Sequence, residues 1–154
     1  MRIEKYLKNF GVSFKRYKHP KTFTAQQLAA QQHVSGHQVA KSVVVHVDNR
    51  CYLCVLPASF KIDLQRLAEA FGADRCYLAD ELEMQNLFPD VEVGAEPPFG
   101  HLYGLDTLVD EHLTRCEDIM FCGGDLRKAI KIPYSEYARV EEPEVMNFAF
   151  STAI

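Results

Sequence analysis

The sequence is short of the features that most readily assign a protein. Its longest apolar runs, residues 43–45 and 52–56, fall far below the ~20 residues of a membrane-spanning helix. The opening stretch MRIEKYLKNFGVSF alternates charged and apolar side chains and lacks the apolar core of a secretory leader. Both absences predict a cytoplasmic protein with no membrane partner. Cysteines are odd in number, at positions 51, 54, 76, 116 and 122, whereas a secreted disulfide framework needs an even set. Cys51 and Cys54 form one C-x-x-C, but no second pair completes a zinc site. They also lie in a strand-like run, where an offset of three puts side chains on opposite faces. His33 and His37 have a helical ligand spacing, yet Ser35-Gly36 interrupts the helix and no third ligand is near. No metal and no cofactor are therefore expected. G-x-S-x-G, P-loop, H-E-x-x-H and dinucleotide-binding glycines are all missing, as is an aromatic-interleaved RNA-binding signature.

What is present describes an ordinary globular domain. The 154 residues are 47% hydrophobic and 25% charged, enough for one well-buried core without staples. No linker, repeat or low-complexity segment divides the chain, so residues 1–154 are expected to form a single domain. The net charge of −4 conceals an asymmetry. Residues 1–50 hold nine Lys/Arg against two Asp/Glu, or +7; the remainder holds eight against nineteen, or −11. Lys5, Lys8, Lys15, Arg16, Lys18 and Lys21 supply most of the basic share, a surface on which a polyanion could dock.

Local patterns alternate between helix and strand. Ile3, Tyr6, Leu7 and Phe10 recur at helical spacing before Gly11, and residues 12–17 alternate like a strand. Thr24 caps a predicted helix over 25–32, which Gly36 separates from a turn leading into Lys41. Residues 41–47 and 51–57 flank Asp48-Asn49-Arg50 and predict a hairpin. Asp63 caps a helix over 64–71, residues 75–78 read as a strand, and a helix over 80–87 ends at Pro89. Strands are expected at 105–109, 117–121 and 129–132, then a final helix at 134–139. The tail beyond Pro143 is weakly patterned. Together these predict an α+β fold, a mixed and mainly antiparallel central sheet flanked by helices.

Two places in this pattern can carry chemistry. Lys41 stands where a helix gives way to a hydrophobic strand, a mouth from which an ammonium can meet a phosphate or a polarised carbonyl. The G-A-E-P-P-F-G loop, residues 94–100, is stiffened by Pro97-Pro98 and opened to close approach by its glycines. Such a loop can aim backbone N–H groups at an oxyanion. Gly123-Gly124 offers another backbone-exposing turn.

In order, A-K-S-V-V-V, V-L-P-A, D-L-Q-R-L-A-E-A-F-G-A, L-F-P, G-A-E-P-P-F-G-H-L-Y-G-L, V-D and F-C-G-G…A-I-K-I follow one another from Ala40 to Ile132, within a likeness that runs from about Tyr17 to Val140. This succession resembles the YbaK/prolyl-tRNA-synthetase-associated editing domain family. The resemblance implies an enzyme that hydrolyses the ester of mischarged tRNA in trans, on a tRNA-Pro-like acceptor, with a synthetase as a possible partner. It implies that Lys41, with Ser42 beside it, holds the 3′-terminal adenosine and its phosphate. It makes Gly100 the oxyanion donor within a substrate loop that includes Gly94, Pro98 and Phe99. Tyr17, His19, Cys122, Gly123 and Gly124 fall around the amino-acid pocket. Alanine, serine, threonine and cysteine all stay open as the amino acid removed. The competing expectation is a non-catalytic RNA- or synthetase-binding adaptor of the same fold.

Overall fold

The computed structural model describes residues 2–152. The elements, in chain order, begin with α1 (Arg2–Asn9), β1 (Lys15–Lys18), α2 (Ala25–Gln31), β2 (Ala40–Val47) and β3 (Arg50–Pro57). They continue with β4 (Phe60–Ile62), α3 (Leu64–Phe71), β5 (Cys76–Leu78) and α4 (Glu81–Leu87). Last come β6 (Asp106–Asp110), β7 (Asp118–Cys122), β8 (Lys128–Pro133), α5 (Tyr134–Glu141), β9 (Glu144–Met146) and β10 (Ala149–Ser151).

Five strands form the central sheet in the order β5-β2-β3-β6-β9. Its β2–β3 and β2–β5 pairs are antiparallel, and its β3–β6 and β6–β9 pairs are parallel. A second sheet, β1-β8-β7, is antiparallel throughout, as is the β4–β10 pair. The fold is thus α+β with a mixed, mainly antiparallel sheet arrangement, as the sequence predicts. A bridge from Val39 to Met120 joins the two larger sheets at the residue before β2 begins. Lys41 is therefore held near a seam between sheets.

The hairpin explains why β3 reads as one continuous apolar run. Val44 and Leu53 pair on one face, and Val45 and Tyr52 on the other. Each face has its own core. Leu53 and Val55 pack with Phe99, Phe121 and Tyr137, while Tyr52, Cys54 and Leu56 pack with Leu67 and Phe148. A strand covered on both sides needs apolar residues at successive positions rather than alternate ones. The same geometry separates the C-x-x-C. Cys54 is buried in the second core, whereas Cys51 lies on the opposite face with its Sγ 3.1 Å from His46 Nδ1. All five cysteines are free.

Three short strands and one turn exceed the sequence expectation. One is β4, between the hairpin and α3, and the weakly patterned tail supplies β9 and β10, which pair with β6 and β4. Residues Gly100–Tyr103 form a 3-10 turn after the proline loop. Three-residue strands have too little alternation to stand out, and their pairing partners lie far away in sequence. No helix among the described residues is long and apolar enough to cross a membrane.

Candidate functional site

Lys41 opens on a surface cavity of about 460 Å³, whose wall includes Phe23, Thr24, Ala58, Phe60, Lys61 and Gly94. Five separate stretches of chain, around residues 23–26, 41, 58–61, 94 and 152, converge there, so the site is assembled by tertiary structure. Thr24 caps α2 by accepting the Gln27 N–H, which fixes the start of that helix at the cavity rim. The Lys41 ammonium is half-buried and donates to the Ala58 carbonyl at 3.2 Å. No carboxylate pairs with it among the described residues. Burial, and secondarily the neighbouring Lys61 ammonium, hold its pKa below the ordinary lysine value. An ammonium lacking a counterion is suited to an incoming phosphate.

The Gly94–Gly100 loop divides into two parts. Gly94 is exposed at the cavity with a φ of +94°, a conformation that favours glycine. Its N–H donates to both carboxylate oxygens of Glu96, at 3.1 Å each. The neighbouring Ala95 carbonyl accepts the Gly124 N–H at 3.1 Å, and the Glu92 N–H donates to the Gly124 carbonyl at 3.1 Å. Gly124 therefore works as a clasp between the F-C-G-G turn and the loop, and its N–H is not directed at the cavity. The Gly123 N–H is likewise donated, to the Lys128 carbonyl.

Pro98, Phe99 and Gly100 belong to the protein interior. The Pro98 carbonyl accepts the buried Tyr137 hydroxyl at 2.8 Å. Phe99 is fully buried and makes edge contacts with Tyr6, Phe121 and Tyr137. Gly100 donates its N–H to Thr107 Oγ1 at 3.0 Å, and the Thr107 hydroxyl in turn donates to the buried Glu141 carboxylate. A Cβ at position 100 would meet Thr107 Oγ1 and lie 2.7 Å from the Leu105 carbonyl. Close backbone packing explains this glycine. The expected oxyanion role for Gly100 does not fit this geometry, because its only N–H is already buried in a hydrogen bond.

Ser42 also departs from its expected place. Adjacent residues of a strand face opposite sides, so Ser42 points away from the Lys41 face. Its register partner is Val55 of the first core, whereas that of Lys41 is Leu56 of the second. Its buried Oγ has no hydrogen-bond partner among the described residues.

The remaining expected residues gather beside the cavity. Tyr17 pairs with Ala129, and Ala129 with Cys122, forming one row across β1, β8 and β7. Tyr17 packs on the small core that also contains Ala95, Cys122 and Ala129. His19 is buried; its N–H donates to the Arg127 carbonyl, and its Nε2 has no partner among the described residues. Thr22 repeats the arrangement, donating its N–H to the Leu126 carbonyl and leaving its buried Oγ1 unmatched. The Cys122 thiol is pushed up to about 12 by burial and then by the Glu96, Asp125 and Glu92 carboxylates. It is a buried, protonated thiol rather than a nucleophile.

Among the residues that line it, the cavity that Lys41 enters holds a cation with no carboxylate partner and no histidine–nucleophile pair. Residues 19–140 match the family model for the aminoacyl-tRNA editing domain. The chain belongs to the aminoacyl-tRNA editing domain family. It is similar to the multifunctional Ser/Thr-tRNA deacylase ProXp-y of Escherichia coli (strain K12), at 30% identity over 96% of this chain and 90% of that protein. The fold is shared with a solved candidate trans-editing enzyme for prolyl tRNA synthetase, at TM-score 0.85 and 23% identity, covering 97% of this chain and 96% of that one. A solved hypothetical protein superposes with TM-score 0.88 at 20% identity, covering 97% and 100% of the two chains. As a member of this editing family, the chain is an aminoacyl-tRNA deacylase.

Two features of this editing domain escape the sequence patterns. Glu96 is buried in the cavity half of the loop, and the one available signal is a charge set among Gly, Ala and Pro in the motif itself. Phe23 and Thr24 reach the site because α2 begins there, a placement with no local signal. The basic residues also acquire neighbours. Lys15 and Lys18 on the edge strand β1 stand opposite Lys131 and Lys128 of β8, which concentrates cations along one strand pair.

Proposed function

We propose that the chain forms one editing unit that hydrolyses, in trans, the ester joining a wrongly attached amino acid to the 3′-terminal ribose of tRNA. Serine and threonine are the first amino acids to test, given the relative named above, and a tRNA-Pro-like acceptor is the first tRNA. The observation that carries the reading is the half-buried Lys41 ammonium, without a carboxylate partner among the described residues, at a cavity bordered by Gly94. It suits the phosphate next to the terminal adenosine, while Tyr17, His19, Ala95, Cys122 and Ala129 suit a small side chain.

No protein general base is required. An aminoacyl ester is already activated, and the terminal ribose carries a free hydroxyl beside it that can orient the attacking water. The protein then contributes positioning and electrostatic stabilisation. The need for such an enzyme follows from synthetase selectivity, since pockets separate side chains differing by one methylene only about 10–200-fold. The basic β1–β8 edge supports docking of the acceptor arm. Translation fidelity in the cytoplasm is the matching cellular role, with a synthetase as a further partner.

The test is a deacylation screen over a panel of mischarged tRNAs, with Lys41→Ala beside the wild type. Hydrolysis of one or two species is expected, falling about 100-fold or more in the variant with no change in melting temperature. Binding of tRNA without hydrolysis of any species would favour the adaptor of the same fold instead.

A further inference from the structure

Directly behind the cavity lining lies a second ionisable group without an ion-pair partner, the Glu96 carboxyl. Glu96 is 8% exposed, and both its oxygens lie 3.1 Å from the Gly94 nitrogen. Gly94 itself lines the cavity that Lys41 enters. Glu96 pairs with no cation among the described residues, and in particular does not pair with Lys41. Burying a carboxylate without a cation is costly. The backbone N–H groups of Gly94 and of Glu96 itself occupy only part of its accepting capacity, which amounts to roughly four lone-pair directions.

The editing substrate has matching charges. Its 3′ end carries phosphate on one side of the terminal ribose and an α-ammonium on the aminoacyl group at the other. A cavity with a free cation and a separate buried anion complements that arrangement. The apolar lining of Phe23, Ala25, Ala58 and Phe60 would then meet the side chain attached to the same α-carbon.

We propose that Glu96 binds the α-ammonium of the aminoacyl group and so selects aminoacyl esters over esters lacking the amine. This rests on the deacylase reading above and deepens it. Lys41 anchors the nucleic acid, and Glu96 anchors the amino acid by the one group that every aminoacyl substrate shares. The contact fixes the acyl carbonyl between the two anchors without depending on which side chain is present. Discrimination among amino acids is left to the cavity walls.

The experiment compares tRNA-Pro charged with serine against the same tRNA carrying the α-hydroxy counterpart, in which hydroxyl replaces the amine. Both are incubated with wild type and Glu96→Gln, and each rate is divided by uncatalysed hydrolysis because the ammonium itself activates the ester. Wild type is expected to favour the amine about tenfold or more, the scale of one charge-assisted hydrogen bond. Glu96→Gln is expected to lose that preference while retaining activity on the α-hydroxy ester. A variant that discriminates as wild type does would overturn the assignment. So would a wild type that hydrolyses both esters equally, a result independent of how the variant folds, which leaves the deacylase reading intact. If the screen above shows another charged tRNA to be hydrolysed faster, that species and its α-hydroxy counterpart replace this pair. The two readings then fail separately: no hydrolysis across the panel removes the deacylase reading, and equal hydrolysis of the two esters removes only the Glu96 assignment.

Discussion

The two halves of the G-A-E-P-P-F-G loop differ more than their shared motif implies. Gly94 lines the cavity and is exposed to an incoming ligand, Glu96 accepts its N–H, and Ala95 is tied to the F-C-G-G turn. Pro98, Phe99 and Gly100 are interior residues, pinned by Tyr137 and Thr107 and surrounded by aromatic rings. Each half contains a glycine, for unrelated reasons. Gly94 adopts a positive φ, whereas Gly100 leaves room for Thr107 and Leu105. The comparison shows that a rigid site needs two kinds of residue in one loop, some that face the ligand and others that hold them still.

Substitutions can test whether the halves are separable. The largest effect is expected from Gly100→Ala. The added Cβ meets backbone and a buried hydroxyl, so stability should fall by about 3 kcal/mol in urea denaturation, with activity lost only as the protein unfolds. If Gly100→Ala remained fully stable but lost hydrolysis, the core half would instead take part in the chemistry. Tyr137→Phe is a milder probe of the same half. It keeps the ring and leaves the Pro98 carbonyl unpaired, costing about 1–2 kcal/mol with kcat/KM unchanged at temperatures where the variant is folded. A marked loss of kcat/KM at unchanged stability would erase the distinction between the halves.

The cavity half has a pH signature carried by Lys41. Its lowered pKa means that the ammonium deprotonates before an ordinary lysine does. Affinity for the phosphate should therefore weaken as pH rises below the usual lysine range, seen as a rise in KM after correction for spontaneous ester hydrolysis. Lys41→Arg stays charged throughout and should remove that limb. The expected difference is about a few-fold within one pH unit of the midpoint. An identical limb in both proteins would assign the titration to another group.

Much of the fold is legible in the sequence. The α2 cap at Thr24, the hairpin, the Asp63 cap and the opposite faces of Cys51 and Cys54 follow from local patterns. Residue type and context mark Lys41 and Gly94, and the two do share a cavity. The tail strands β9 and β10 are not legible, because three residues carry little periodicity. The motif places Gly100 and Ser42 at the site, yet the structure turns both away. Which backbone N–H is already used, and which side of a strand faces a cavity, depend on residues far along the chain such as Thr107 and Leu56.

The sequence by itself determined the longer elements, the family and the loop with its nearby lysine, since each is encoded in local spacing and residue order. Tertiary structure alone decided that Glu96 lies buried without a cation, among the described residues, beside a cavity opened by Lys41. It also decided that Tyr17, Ala129 and Cys122 fall in one row. Burial and pairing are set by the packing of distant segments, and a linear pattern does not contain them.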